Sequence, residues 1–422
     1  MSKVNVVIGQ SGGPTTVINN SVRGVADELM RSGQVGEIYG AKQGILGVLQ
    51  EELISLSSQD PHQIALLRQT PSAGAIGSCR YKLKADQAED FERVVGVFKA
   101  HNVGYFFYAG GNDSMDTADK ISKLAAEKGL DLVAIGLAKT IDNDVGGSLK
   151  DDGTFDVIDH TPGYGSVARY WALKIQQANE ENKASHTSDP VLVIQMMGRK
   201  IGFIPAAARL ADPERKMPLL VCLRESGLSL EGLREKANEL LKAEGRCVIA
   251  VSEGFDVGDV GALKDSFGHQ QFSTGTPVAE IIAKYLNDTG IETKGAARFN
   301  VHCTDQRHDI LYASQVDLEE AYQVGANAGR LALAGEGGYM STIVRKPGKD
   351  YEVSYDKVPL STVANSERSF PKQWIANSTD VSDAFIHYAS PFVGDLLEMT
   401  NLDLSKVAER KLPSYVPQGY RK

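Results

Sequence analysis

Four cysteines in 422 residues (Cys79, Cys222, Cys247 and Cys303) are too few and too scattered for a disulfide framework or a thiolate zinc site. None pairs with another as CxxC, and the set fits a reducing, cytoplasmic setting. The eight histidines show no HExxH or similar spacing, so zinc is not expected. No apolar run approaches the ~18 residues of a membrane span, and Val4–Ile8 is too short for a signal peptide. Positive charge is not in excess. With 45 Lys+Arg against 54 Asp+Glu the net charge is −9, which disfavours nucleic acid as a partner. There is no fixed repeat, no coiled-coil heptad and no low-complexity tract. No strand-like run leads into GxGxxG with an acidic residue ~20 positions on, which argues against a dinucleotide dehydrogenase.

What remains is ordinary globular composition, 42% hydrophobic and 23% charged, ample for a sizeable core. At roughly 150 residues per domain, two or three domains are expected. Short apolar runs repeatedly enter Gly-rich or polar turns and then amphipathic segments. Val4–Ile8 leads through QSGGPTT into Val17–Arg31, and Gly104–Tyr108 leads through AGGNDS into Met115–Lys128. Leu132–Leu137 enters AKTIDND, and Val191–Met196 enters MGRK and the alanine-rich Ile201–Leu210. Met217–Cys222 and Cys247–Val251 flank a helix-like Leu230–Ala243. Such alternation implies βαβ units and a mostly parallel sheet, with ligands bound at the carboxyl ends of the strands. Asn179–Asp189 reads as an exposed polar loop. Alternation weakens from Arg345, and Leu412–Lys422 reads as a loose terminus or an interface arm.

The polar clusters sit at the strand-to-helix turns. Gly12 and Gly13 would let backbone N–H groups approach an anion at a helix N-terminus, although an isolated Gly-Gly pair reads better as a tight turn. GGNDS at Gly110–Ser114 repeats the pattern. Asp113 there would repel a phosphate unless a metal ion or a nearby lysine compensates, and Asn112-Asp113-Ser114 is also a good helix cap. The strongest local signal is Lys139-Thr140-Ile141-Asp142-Asn143-Asp144. One carboxylate can serve as a general base while the other helps hold Mg²⁺, a hard cation that prefers oxygen ligands. A solvated Asx turn would account for Asn143-Asp144 but not for Lys139. Arg80, Arg199, Arg298 and Arg307 lie near strand ends; singly each reads as a salt-bridge partner, while a phosphate site favours such forked donors. Glu253 could accept hydrogen bonds from sugar hydroxyls or cap a turn. His160 reads as structural.

Taken together, SGGP, GSCR, GGNDS, KTIDND, MGR, SEG and TDQR resemble the phosphofructokinase family in order and approximate spacing, from about Val4 to Leu333. Asp113 and Lys139 stand where ATP-using members typically carry glycine, so the chain resembles the pyrophosphate-dependent branch. A carboxylate ~4 Å from a nucleotide phosphate would repel it by roughly 4 kcal/mol at an effective dielectric of 20. Lys139 offers pyrophosphate a compact positive charge.

The resemblance implies an α/β protein of two Rossmann-like doubly wound domains with the active site in the cleft between them. Residues 1–153 plus 306–345 would hold pyrophosphate and Mg²⁺, and residues 154–305 plus 346–422 would hold fructose 6-phosphate. The implied reaction moves a phosphoryl group from pyrophosphate to the sugar's 1-hydroxyl. In it Asp142 is the general base, Lys139 a further catalytic residue, and Gly12, Arg80, Asp113 and Lys139 the donor contacts. Thr140, Ile141, Asp142, Met197, Gly198, Arg199, Glu253, Arg298, Thr304 and Arg307 are the implied sugar-phosphate contacts, with Asn112 and Asp144 at the metal. A homodimer or homotetramer is implied, Arg298 completing a neighbour's site. The chain departs from the family pattern at Asn112 (usually Asp), Ala138 (commonly Pro) and Thr304 (usually aromatic or His). Pro190 replaces an interface arginine of allosteric members, so weak or absent cooperativity is expected. The alternatives are an ATP-dependent 6-phosphofructokinase and a catalytically silent regulatory paralogue.

Overall fold

The computed structural model describes residues 3–84, 86–258, 276–348, 350–364, 366–400, 402–403 and 405–418. The first apolar runs become parallel strands: β1 Asn5–Gln10, β2 Ile38–Ala41, β4 Val103–Gly110 and β5 Val133–Ala138, with the short antiparallel β3 Leu53–Ser55 at one edge. A later strand, β10 Tyr339–Arg345, joins β5 in parallel, and β11 Val353–Pro359 pairs antiparallel outside it. The sheet order is β11-β10-β5-β4-β1-β2-β3. A second, all-parallel sheet has the order β7-β8-β6-β9, from β6 Val191–Met196, β7 Leu219–Cys222, β8 Cys247–Ser252 and β9 Ala297–Val301.

Central strands bury both faces, which is why β4 reads as the continuous run Phe106-Phe107-Tyr108, all but inaccessible to water. Each such side chain contributes roughly 1.5–3 kcal/mol of apolar transfer. The helix Gln315–Leu333 carries the chain back to the first sheet by packing on the helix Ile18–Ser32. A Cβ on Gly325 would lie 2.1 Å from the Ser21 carbonyl oxygen, so the two backbones touch there only because that residue is glycine.

Two boundaries differ from the sequence reading. Residues 346–422 do not all go with the second sheet. β11 extends the first sheet, and Leu360 and Val363 pack into its core, because an edge strand exposed on one side shows little hydrophobic signal. Phe370, Trp374, Phe385, Tyr388 and Phe392 pack instead with the second core. Asn179–Asp189 is not all loop either. The helix Tyr164–Ser185 runs through its first half, where Arg246 donates to the buried Asn179 and Asn182 side chains at 2.8 and 3.2 Å. From the tail, residues 405–418 are described and exposed; residues 419–422 lie outside the described residues.

Candidate active site

Turns at the carboxyl ends of the two sheets come together, with Asp142 within the electrostatic reach of Glu253 and Arg199 and with Gln306 bonded to Met197, whereas Arg298 stands at the amino end of β9. After β1, Ser11 forms a parallel bridge with Cys79, and the Gly12 N–H donates to the Cys79 carbonyl at 2.8 Å. Gly12 has φ +77°, a conformation that disfavours L side chains. A Cβ on Gly12 would lie 3.5 Å from Lys139 Nζ, and one on Gly13 would lie 3.4 Å from Arg307 and 3.7 Å from Arg80. One glycine turn thus faces three cations from three separate segments, an arrangement that favours a polyanion between them.

Lys139 is 3% exposed and donates to the Gly13 carbonyl at 2.5 Å. Burial, reinforced by Arg80 and opposed by Asp142, lowers its pKa to about 7. Burial and then Arg80 also lower Arg307, with Asp142 and Glu253 working the other way.

Beside this cluster the helix Asn112–Glu127 starts directly after β4, so its first-turn amides face the strand ends. Asp113 is in that first turn, and its carboxylate accepts from Lys82 Nζ at 2.6 Å. Lys82, two residues after Arg80, thus places a lysine beside Asp113. Asn112 Oδ1 is buried and has no hydrogen-bond partner.

The turn after β5 carries the two carboxylates. Asp142 is part-buried, and its N–H donates to Thr140 Oγ1 at 3.1 Å. Burial, then Asp144 and Glu253, push its pKa up to about 7 against the pull of Lys139 and Arg199. Burial also raises Asp144 and Glu253, the latter opposed by Arg199 and Arg307. Ile141 is buried in the second core. Asn143 is not the solvated Asx residue that the sequence allows. It is fully buried at φ +57°, donating to Tyr388 Oη at 2.9 Å and accepting from the Thr161 N–H at 3.1 Å.

From the second sheet, the turns after β6 and β8 interlock. Ser252 Oγ donates to the Gly198 carbonyl at 2.8 Å, and the Glu253 N–H donates to the Met196 carbonyl at 2.8 Å. A Cβ on Gly254 would meet the Arg199 carbonyl oxygen at 2.0 Å. Gln306 Oε1 accepts from the Met197 N–H and from Trp171 Nε1, both at 2.9 Å, which ties this turn to the segment carrying Arg307. Thr304 is exposed, and its carbonyl accepts from the Arg307 N–H at 3.1 Å. Arg298 projects from the edge strand β9 and pairs with Asp189 at 2.6 Å. Asp144 also lines a cavity of about 610 Å³ with Lys200, Glu225, Glu367 and Arg368.

A buried lysine and two arginines around a glycine turn, with a carboxylate of raised pKa beside them, define a site for moving a phosphoryl group to an acceptor hydroxyl. The chain matches the family model described as Phosphofructokinase over residues 5–309. It is 36% identical to pyrophosphate–fructose 6-phosphate 1-phosphotransferase of Halomonas elongata, over 98% of this chain and all of that protein. It is 35% identical to the protein of that name from Methylococcus capsulatus, over 93% of this chain and 92% of the relative. It superimposes with a TM-score of 0.81 on a pyrophosphate-dependent phosphofructokinase from Nitrosospira multiformis, at 33% identity and covering 98% and 99% of the two chains. The chain belongs to the phosphofructokinase family.

Sequence reasoning missed Lys82, Thr161, Arg368 and Tyr388. Only Lys82 carried a signal, its closeness to Arg80. Thr161 donates to the Thr140 carbonyl at 2.9 Å from a loop in which the sequence drew attention only to His160.

Proposed function

We propose that the protein transfers a phosphoryl group reversibly from pyrophosphate to the 1-hydroxyl of fructose 6-phosphate, giving fructose 1,6-bisphosphate and phosphate. The observation that carries this reading is Lys139, buried against Gly12 and Gly13 where a larger donor would need open space. In this reading Asp142 takes the proton of the sugar's 1-hydroxyl. The alkoxide oxygen then bonds to one phosphorus while that phosphorus loses its bridging oxygen, and phosphate leaves with the bridging electron pair. Gly12, Arg80 and Lys139 hold the donor, with Arg307 facing the same turn. Met197, Gly198, Arg199, Glu253, Thr304 and Arg307 orient the sugar.

Asn112 and Asp144 would hold Mg²⁺. The unpartnered buried oxygen of Asn112 suits a hard cation, and pyrophosphate oxygens and waters would complete its shell. Among the described residues no group of three or more His, Cys, Asp or Glu is placed to hold a metal ion by itself. When bound, the ion supplies neutralisation of charge on the phosphoryl oxygens.

Exposed Phe299 beside Arg298 on the edge strand β9 supports association of copies through that edge, as a homodimer or homotetramer. Among the described residues no helix is long and apolar enough to cross a membrane. The test of the reading is the initial rate with fructose 6-phosphate and Mg²⁺, with pyrophosphate or ATP at equal concentration. Turnover with pyrophosphate is expected. Turnover with ATP alone would make the chain an ATP-dependent kinase, and silence with both would favour a regulatory paralogue.

A further inference from the structure

The loop that carries Asp142 is held from outside the region of the family match, which ends at residue 309. Glu367 forms an antiparallel bridge with Val145, and the Arg368 N–H donates to the Asp144 carbonyl at 2.8 Å. The Arg368 side chain is 3% exposed and lies against the Phe155 ring, its guanidinium carbon 3.8 Å from the ring centroid. Its Nε donates to the Gly146 carbonyl at 2.9 Å, and one terminal nitrogen donates to the Asp159 carbonyl at 2.8 Å and to Asn143 Oδ1 at 3.4 Å. The other donates to the Ile158 carbonyl.

These acceptors are not a random sample of the neighbourhood. Asn143 and Gly146 both have positive φ, at +57° and +47°, and between them they turn the chain just after Asp142. A non-glycine residue at positive φ is held there by its surroundings rather than by preference. For Asn143 those surroundings are Arg368, Tyr388 and Thr161. Tyr388 Oη also donates to the Asp159 carbonyl at 2.9 Å, so both side chains tie the Asn143 turn to the segment at Ile158–Asp159. A fully desolvated guanidinium is costly unless its donors are satisfied, and here four oxygens of two segments satisfy them.

We propose that Arg368 is a positioning residue for the phosphoryl transfer: through Asn143 and Gly146 it fixes the loop that aims the Asp142 carboxylate. This rests on Asp142 being the base. A base displaced by about 1 Å can cost two orders of magnitude in rate while substrate binding elsewhere is little changed. Lysine in place of Arg368 keeps the charge but lacks the planar fork that reaches oxygens on both segments at once.

The test compares the wild type with R368K and with Y388F, which keeps its ring but loses the hydroxyl on Asn143. Hydrogen exchange of the amides at positions 141–147 is measured without substrates, fructose 6-phosphate affinity is measured by calorimetry, and kcat is normalised to folded protein. In R368K, loop exchange is expected to rise and kcat to fall roughly 10- to 100-fold, with sugar affinity held within about threefold. Y388F should change in the same direction by a smaller factor, and it decides the matter if R368K does not fold. Folded variants with wild-type loop exchange and wild-type kcat would overturn the proposal and leave Arg368 a packing residue. If the wild type itself shows no pyrophosphate-dependent turnover, the reading of the reaction fails, and loop exchange alone decides whether Arg368 clamps this turn.

Discussion

Lys82 holds Asp113 at 2.6 Å, Nζ to Oδ1, at the start of the helix that faces the glycine turn. The pairing changes how Asp113 acts on a donor. Its carboxylate is 73% exposed and partly neutralised by Lys82, so its repulsion of a nucleotide phosphate falls well below the bare Coulomb value.

Donor choice is therefore expected to yield only partly to a single change. Asp113→Gly should raise kcat/KM for ATP by roughly tenfold, in line with a screened surface charge. It should leave pyrophosphate as the better donor, because Lys139 still fills the space beside Gly12. Steady-state kinetics with both donors checks this, and an ATP-preferring D113G enzyme would mean that Asp113 alone sets the choice.

The pH dependence of kcat/KM for pyrophosphate should be a narrow bell. Asp142 must lose its proton to act as base, so the acid limb rises through about 7. Lys139 must keep its proton to hold pyrophosphate, so the alkaline limb falls above about 7. Lys139→Met should lower activity, remove the alkaline limb and move the acid limb to higher pH, because the lysine no longer pulls the Asp142 pKa down. A flat profile between pH 6 and 8 would contradict both assignments.

His160 lies buried between Asp159 and Glu320, at 2.9 and 2.7 Å, as the structural residue that the sequence suggested. Burial opposes its protonation, but the two carboxylates prevail and lift its pKa to about 9. Its folded pKa therefore stands above the unfolded value near 6.5. The stability it contributes is complete below about pH 6.5 and is lost as pH rises through 9. The change is of order 3 kcal/mol. Urea unfolding of wild type and H160Q at pH 6 and pH 9.5 checks the sign: the difference between the two proteins should shrink at high pH.

The turns were legible because chemistry there overrides turn preference: a lysine, two carboxylates and glycines at strand ends have few other uses. The central strands were legible because burial on both faces leaves continuous apolar runs. The C-terminal contribution was not. Arg368 sits in SERSFPK, where nothing in composition separates a buried clamp from a solvated cation. β11 alternates half-exposed residues at a sheet edge, and the Asn179–Ser185 stretch hides its helix behind polar residues that face Arg246. Arg368 and Asn179 meet partners far away in the sequence and β11 takes its place by pairing with β10, so only the tertiary contact distinguishes these residues.

The most direct measurement is phosphorus NMR of the protein with fructose 6-phosphate, Mg²⁺ and pyrophosphate, and of the reverse mixture of fructose 1,6-bisphosphate, Mg²⁺ and phosphate. The expected result is that the C1-phosphate resonance and inorganic phosphate grow in equal amounts as pyrophosphate disappears. The reverse mixture should regenerate pyrophosphate, and Asp142→Asn should stop both directions. An unchanged pyrophosphate resonance with wild-type protein, or undiminished turnover in D142N, would contradict the account.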